Sequence, residues 1–144
     1  MTQTDVRERA RRRMEVLRQV AEASEAFYPD AQALAKQIRR ELPDVKKAQI
    51  RKLEVFANAT RNVTHVFDLL KTQVGREHLP RQAGEDLLNA VSEMGSAARR
   101  IAANAGDESL TAHVHLHLCR EYLRHLTAHF EYEAVGASPR RRSG

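Results

Sequence analysis

The sequence predicts an all-α protein, a compact helical bundle of about five helices followed by a basic, disordered C-terminal tail. Three observations carry this expectation. Apolar residues recur at intervals of three and four along nearly the whole chain, which is the period of a helix with one buried face, and no stretch alternates as a strand would. The chain has only six Gly and four Pro, and most of these fall between the apolar runs. Hydrophobic residues make up 42% of the 144 and aromatics only 5%, so a core is possible and must be built mainly from Leu, Val, Ile and Ala.

The first segment runs from about Asp5 to Phe27, with Val6, Ala10, Met14, Leu17, Val20, Ala23 and Phe27 on one stripe. Pro29-Asp30 is expected to end it and to start a second, short helix. The inner face of that helix is Ala31, Leu34, Ile38 and Leu42, and Pro43-Asp44 closes it. The third and longest helix is expected from Asp44 or Val45, with Asp44 as its cap, to Gly75; its stripe is Leu53, Ala57, Thr60, Val63, Phe67, Leu70 and Val74. A fourth follows Pro80, uses Leu87, Leu88, Val91, Met94, Ala98 and Ile101, and ends at Gly106. The fifth, from about Ser109 to Ala134, spaces Ala112, Leu116, Cys119, Leu123, Leu126 and Phe130 by fours and threes, as a bundle seam does. The third, fourth and fifth should pack antiparallel as the body of the bundle, with the short second helix across one end. This divides the chain into an N-terminal helical extension (1–28), a bundle domain (29–135) and a basic tail (136–144).

Composition narrows the function. A single cysteine, Cys119, allows no intramolecular disulfide and no cysteine-rich zinc site, which favours a reducing compartment. The N-terminus runs directly into Arg7, Arg9 and Arg11-Arg12-Arg13 without a secretory apolar core, and no apolar run approaches the ~20 residues of a membrane span. The expected location is cytoplasmic, with no membrane partner. Net charge is +5 and concentrated: seven Lys or Arg lie between Lys36 and Lys52 against only Glu41 and Asp44, and Arg140-Arg141-Arg142 adds to the tail. Concentrated basicity points to a polyanion partner, with a merely solvated basic face as the alternative.

Two constellations bear on chemistry. At 100° per residue, Lys47, Arg51, Glu54, Asn58, Arg61, Asn62 and His65 share the polar face of the third helix, where cations and amides suit phosphate and ribose oxygens. That face carries no aromatic for a base to stack on, so backbone contact is expected over base readout. In the last helix His113, His117, Glu121, His125 and His129 follow each other at four-residue spacing. Neighbouring members of such a row could share a metal ion, but no Cys or acidic cluster completes a site and the His-Glu-x-x-His pattern is absent; no metal and no cofactor are expected. Within this helix Arg124-His125-Leu126-Thr127-Ala128-His129 resembles the Arg-polar-x-x-x-His motif of the HEPN ribonucleases. That resemblance would make Arg124 and His129 catalytic.

A broader likeness rests on three stretches. Gln49-Ile50-Arg51-Lys52-Leu53 opens a long helix after a short one, Val74-Gly75-Arg76-Glu77 follows, and Tyr122-Leu123 with Leu126-Thr127-Ala128-His129-Phe130-Glu131-Tyr132 closes the pattern. Over about Asp30 to Ala134 the chain resembles the small helical subunit of type III CRISPR effector complexes. The resemblance implies a non-catalytic subunit that stacks with copies of itself and with other effector subunits, lining the groove that holds guide and target RNA. Phosphate contacts are then expected from Lys47, Arg51, Lys52, Arg61 and Arg76, with Asn58 reaching sugar or phosphate. The alternatives are a HEPN-type ribonuclease or toxin working through Arg124 and His129, and a helical adaptor that binds no nucleic acid.

Overall fold

A computed structural model describes residues 2–136; the expected basic tail, with Arg140-Arg141-Arg142, lies almost entirely outside them. The described residues form five α-helices and no strand: α1 (Gln3–Glu41), α2 (Lys47–Ala59), α3 (Val63–Gly75), α4 (Arg81–Asn104) and α5 (Thr111–Gly136), with one 3-10 turn, Glu108–Leu110, ahead of α5. The all-α bundle is as the sequence predicts. Its partition into helices is not, and three corrections follow.

The first concerns Pro29. It does not end a helix: α1 continues through it for 39 residues, about 58 Å at 1.5 Å per residue. Proline removes one backbone donor and leaves the carbonyl of Glu25 without its helical partner, but Pro29 and Glu25 both face solvent, where water satisfies that oxygen. The opposite face holds the helix together, because Phe27 packs on the core and Ala31, Leu34, Ala35 and Ile38 are buried. Asp30 caps nothing; its carboxylate accepts the buried Tyr122 hydroxyl of α5 at 2.6 Å. The expected short second helix is therefore the C-terminal half of α1 and runs along α5, not across the bundle end. The expected boundary between residues 28 and 29 falls inside α1.

The second correction splits the longest expected helix. α2 ends at Ala59, Thr60 is extended (φ −84°, ψ 155°), and α3 begins after Asn62. Asn58, Thr60, Asn62 and Thr64 crowd this stretch with residues whose side chains compete for backbone hydrogen bonds. Thr60 Oγ1 accepts from the Asn62 amide at 3.2 Å. From α5, Arg120 closes the end of α2: its Nε donates to the Ala57 carbonyl at 2.8 Å and its Nη2 to the Thr60 carbonyl at 2.7 Å. A guanidinium at a helix C-terminus satisfies orphan carbonyls and sits at the negative end of the helix dipole. The start of α2 also moves: it opens at Lys47, where the Lys46 amide donates to Gln49 Oε1 at 3.2 Å, and Asp44 stays in the preceding turn.

The third correction concerns the first stripe. Val20 is buried and Ala23 and Phe27 pack on the core, but Val6, Met14 and Leu17 are exposed, so the first half of α1 is not covered.

α5 is the axis of the bundle. α1 runs in the same direction beside it, α2 and α4 run opposite to it, and α3 packs chiefly on α4 and α2. The α5 seam reads as expected except at Ala112, which is exposed: Leu116, Cys119, Leu123, Leu126 and Phe130 are all buried, as are Leu87, Val91, Met94, Ala98 and Ile101 on α4. One contact tightens the connection between helices. The Glu41 carboxylate at the end of α1 accepts the Ala83 amide at 3.0 Å and so caps α4, whose own N-cap is Pro80.

Burial pushes the Cys119 thiol up to about 12, far from the range where thiolate forms at neutral pH. The folded protein is expected to react with a thiol reagent at pH 8 at least a hundredfold more slowly than the denatured chain, measured by absorbance on labelling. Comparable rates would show that the α5 seam opens readily.

Candidate nucleic-acid interface

The alternation of chain direction brings one end of each helix to a common end of the bundle. The C-terminus of α1, the starts of α2 and α4, the C-terminus of α3 and the last described turns of α5 meet there. Arg39 of α1 lies 4.3 Å over the Phe130 ring of α5. Arg51 of α2 pairs with Glu131 of α5, and Glu41 and Leu42 share one cleft with Gly75, Glu77 and Arg81. The dense basic run of the sequence, Lys36 to Lys52, is folded onto this end.

The sequence-predicted contact residues separate into two groups. Lys47, Arg51 and Lys52 stand exposed on the first turns of α2, and Arg76, exposed at the C-cap of α3, lies at the same end. Asn58 and Arg61 do not: Asn58 is in the last turn of α2 and Arg61 in the break beyond it, about 16–21 Å from Lys47 along the helix. The Asn58 side chain donates to the Glu54 carbonyl at 3.0 Å, which occupies part of its hydrogen-bonding capacity. The single continuous face expected across residues 47–65 is thus interrupted.

Among the described residues no ion pair engages Arg40, Lys46, Lys47, Lys52 or Arg76, whereas Arg51 is held by Glu131. Unpaired cations keep their full field for an external anion. Arg39 also lies at this end, although the sequence reading did not name it. It is half-buried, its guanidinium fixed on Phe130 and its Nε buried without a hydrogen-bond partner. Its place in the basic run was the available signal. Tyr132, exposed one residue beyond Glu131, puts an aromatic at this end that the α2 face lacks.

The histidine row disperses around α5. His115 donates its Nε2 proton to the Val91 carbonyl at 2.8 Å; His125 lies 3.3 Å from the Ser24 hydroxyl and edge-on to Tyr28. Burial lowers the pKa of both His117 and His125, with Glu121 opposing the shift. Among the described residues no group of three or more His, Cys, Asp or Glu is arranged to hold a metal ion. Arg124 and His129, five positions apart, diverge by about 140° around the helix. Arg124 pairs back onto Glu121, while His129 packs edge-on to Tyr28 at 4.7 Å. The fold does not bring these two groups together within one chain.

No protein-family model matches the chain, and comparison with curated proteins and with solved structures finds no match. Among the described residues no helix is long and apolar enough to cross a membrane.

Proposed function

We propose that this protein is a non-catalytic assembly subunit that binds the phosphate backbone of RNA through the basic end of its bundle. The observation that carries the reading is the convergence, from three helix termini, of cations that no ion pair among the described residues engages: Arg40 of α1, Lys46 and Lys47 of α2 and Arg76 of α3. Cations without fixed acceptors bind phosphate by releasing condensed counterions, independent of sequence. The resemblance to the small subunit of type III CRISPR effectors supplies the specific form: the bound strands are guide and target RNA, and neighbouring copies and other effector subunits continue the groove. Arg51 then acts chiefly as a positioning residue, since its pair with Glu131 ties α2 to α5.

The test is a titration of single-stranded RNA against the intact chain and two variants at several salt concentrations. Lys46→Ala/Lys47→Ala is expected to weaken binding about tenfold at low salt and to reduce the slope of log affinity against log salt by about 1.4, two contacts at about 0.7 each. Arg61→Ala, at the far end of α2, is expected to change affinity less than twofold. Unchanged binding in the double-lysine variant refutes the reading. Intrinsic RNA cleavage abolished by His129→Ala would replace it with the ribonuclease reading.

A further inference from the structure

The opposite end of the bundle carries a second surface, of different chemistry. α1 there overhangs the body: residues 2–14 are all exposed, and the helix first meets other elements at Val16. Beside this overhang runs a groove of about 640 Å³. Its floor is apolar, with Val16, Leu17 and Val20 from α1 facing Leu110 of the 3-10 turn and Val114 of the first turn of α5. Arg9, Arg12 and Arg13 form the α1 rim, and the facing wall holds His113, His117 and Asp107, whose carboxylate accepts from the Ser109 amide and hydroxyl. Leu17 in the groove is 53% exposed, and the apolar surface continues along the overhang beyond the groove, where Val6 is 53% and Met14 72% exposed. From Val6 to Leu17 the strip is about 16 Å long, about three helical turns.

We propose that this strip is a docking site for an acidic amphipathic helix of a partner protein, seated with its leucine-like face on Val16, Leu17 and Leu110 and its carboxylates on Arg9, Arg12 and Arg13. Charge complementarity selects this occupant. The acids of the overhang are already committed to their own helix: Asp5 closes the cap with Thr2, Glu8 pairs with Arg11, and Glu15 holds Arg18 and Gln19. No ion pair among the described residues engages Arg9, Arg12 or Arg13. A second copy docking through the same segment would set arginine against arginine. A nucleic-acid backbone would match the arginines but leave the apolar floor against phosphate and water. An acidic helix satisfies both, in the helix-in-groove mode with anchors at three- and four-residue spacing. The geometry of α1 agrees: an overhanging stretch of this length has little stability by itself, and a helix laid along it would bury its exposed apolar face.

The experiment measures, by fluorescence anisotropy with the full chain, binding of a labelled 18-residue peptide with leucines at three- and four-residue spacing and glutamates elsewhere. The comparators are a peptide of the same composition with scrambled leucines and one with lysine in place of glutamate. The patterned acidic peptide is expected to bind at least tenfold more tightly than either. Arg12→Glu/Arg13→Glu, Leu17→Asp and the more exposed Met14→Asp are each expected to weaken it about tenfold, with unchanged helical circular dichroism. Lys46→Ala/Lys47→Ala is expected to leave it unaltered, so this proposal and the RNA reading fail separately. Equal binding of the scrambled peptide, or indifference to both apolar substitutions, overturns the proposal. So does loss of single-stranded RNA binding in Arg12→Glu/Arg13→Glu without loss of peptide binding, which assigns the arginines to nucleic acid. A concentration-dependent dimer abolished by Leu17→Asp also overturns it, in favour of a second copy.

Discussion

Replacing Phe130 with alanine is expected to destabilise the fold by about 3–5 kcal/mol, the range for deleting a fully buried aromatic. Phe130 is completely buried where the last turns of α5 meet α1, and its ring carries the Arg39 guanidinium at 4.3 Å. The substitution removes apolar burial, opens a cavity, and strips the support from a cation whose Nε is already buried without a partner. For a chain of this size each kcal/mol shifts the melting temperature by about 2–4 °C, so a drop of roughly 10 °C is expected, read from thermal unfolding followed by circular dichroism. Arg39→Ala separates the contributions. It removes the cation and keeps the ring, and should cost no more than about 2 kcal/mol. A loss below 1 kcal/mol for Phe130→Ala would mean that the end of α5 is not packed as described, and the basic end would lose its scaffold.

Where the sequence was legible and where it was not follows from the range of the interactions involved. α4 and the seam of α5 could be read because their apolar period of three and four coincides with real burial, and Gly106, at φ +74°, ends the α4 region as a left-handed cap residue should. Pro29 misled because its local cost is decided by an exposed carbonyl and by packing on α5, about ninety residues away in the chain. The Asp30 side chain was diverted for the same reason, toward Tyr122. Around Thr60 the local signal was present in the Asn and Thr cluster, but the apolar period crosses it. Arg120, which fixes the break, lies 60 residues on.

The candidate site divides in the same way. Exposure of Lys47, Lys52 and Arg61 follows from their positions opposite Ile50, Leu53 and Ala57 or in a connection, and a helical wheel finds it. What occupies Arg51, and which ends of which helices share a surface, depends on chain direction through four connections. No local pattern encodes that. The apolar stripe of Val6, Met14 and Leu17 shows the converse: its period is correct, but period reports a face that needs covering, not what covers it.

The packing of α3 against the first turns of α4 supplies the second large effect, at a glycine the periodicity did not single out. Gly84 is buried in the first turns of α4, its amide donating to the Pro80 carbonyl at 2.8 Å. In an exposed helix interior, Gly→Ala would stabilise by about 1 kcal/mol through backbone entropy. Here a Cβ would fall on the Val74 Cγ2 methyl of α3, far inside the closest approach that real carbon atoms make. Valine has one strongly preferred rotamer in a helix and cannot swing away, so relief requires α3 and α4 to separate. Overpacking of this kind costs about 1–3 kcal/mol and can exceed that, so the overlap outweighs the entropy gain. Gly84→Ala is therefore expected to lower stability by about 2 kcal/mol in urea unfolding. Val74→Ala/Gly84→Ala should recover at least 1 kcal/mol relative to the sum of the two single variants, because the double variant removes the colliding methyl along with its own packing loss. A Gly84→Ala protein more stable than the parent would show that α3 and α4 do not approach as closely as Val74 and Gly84 require.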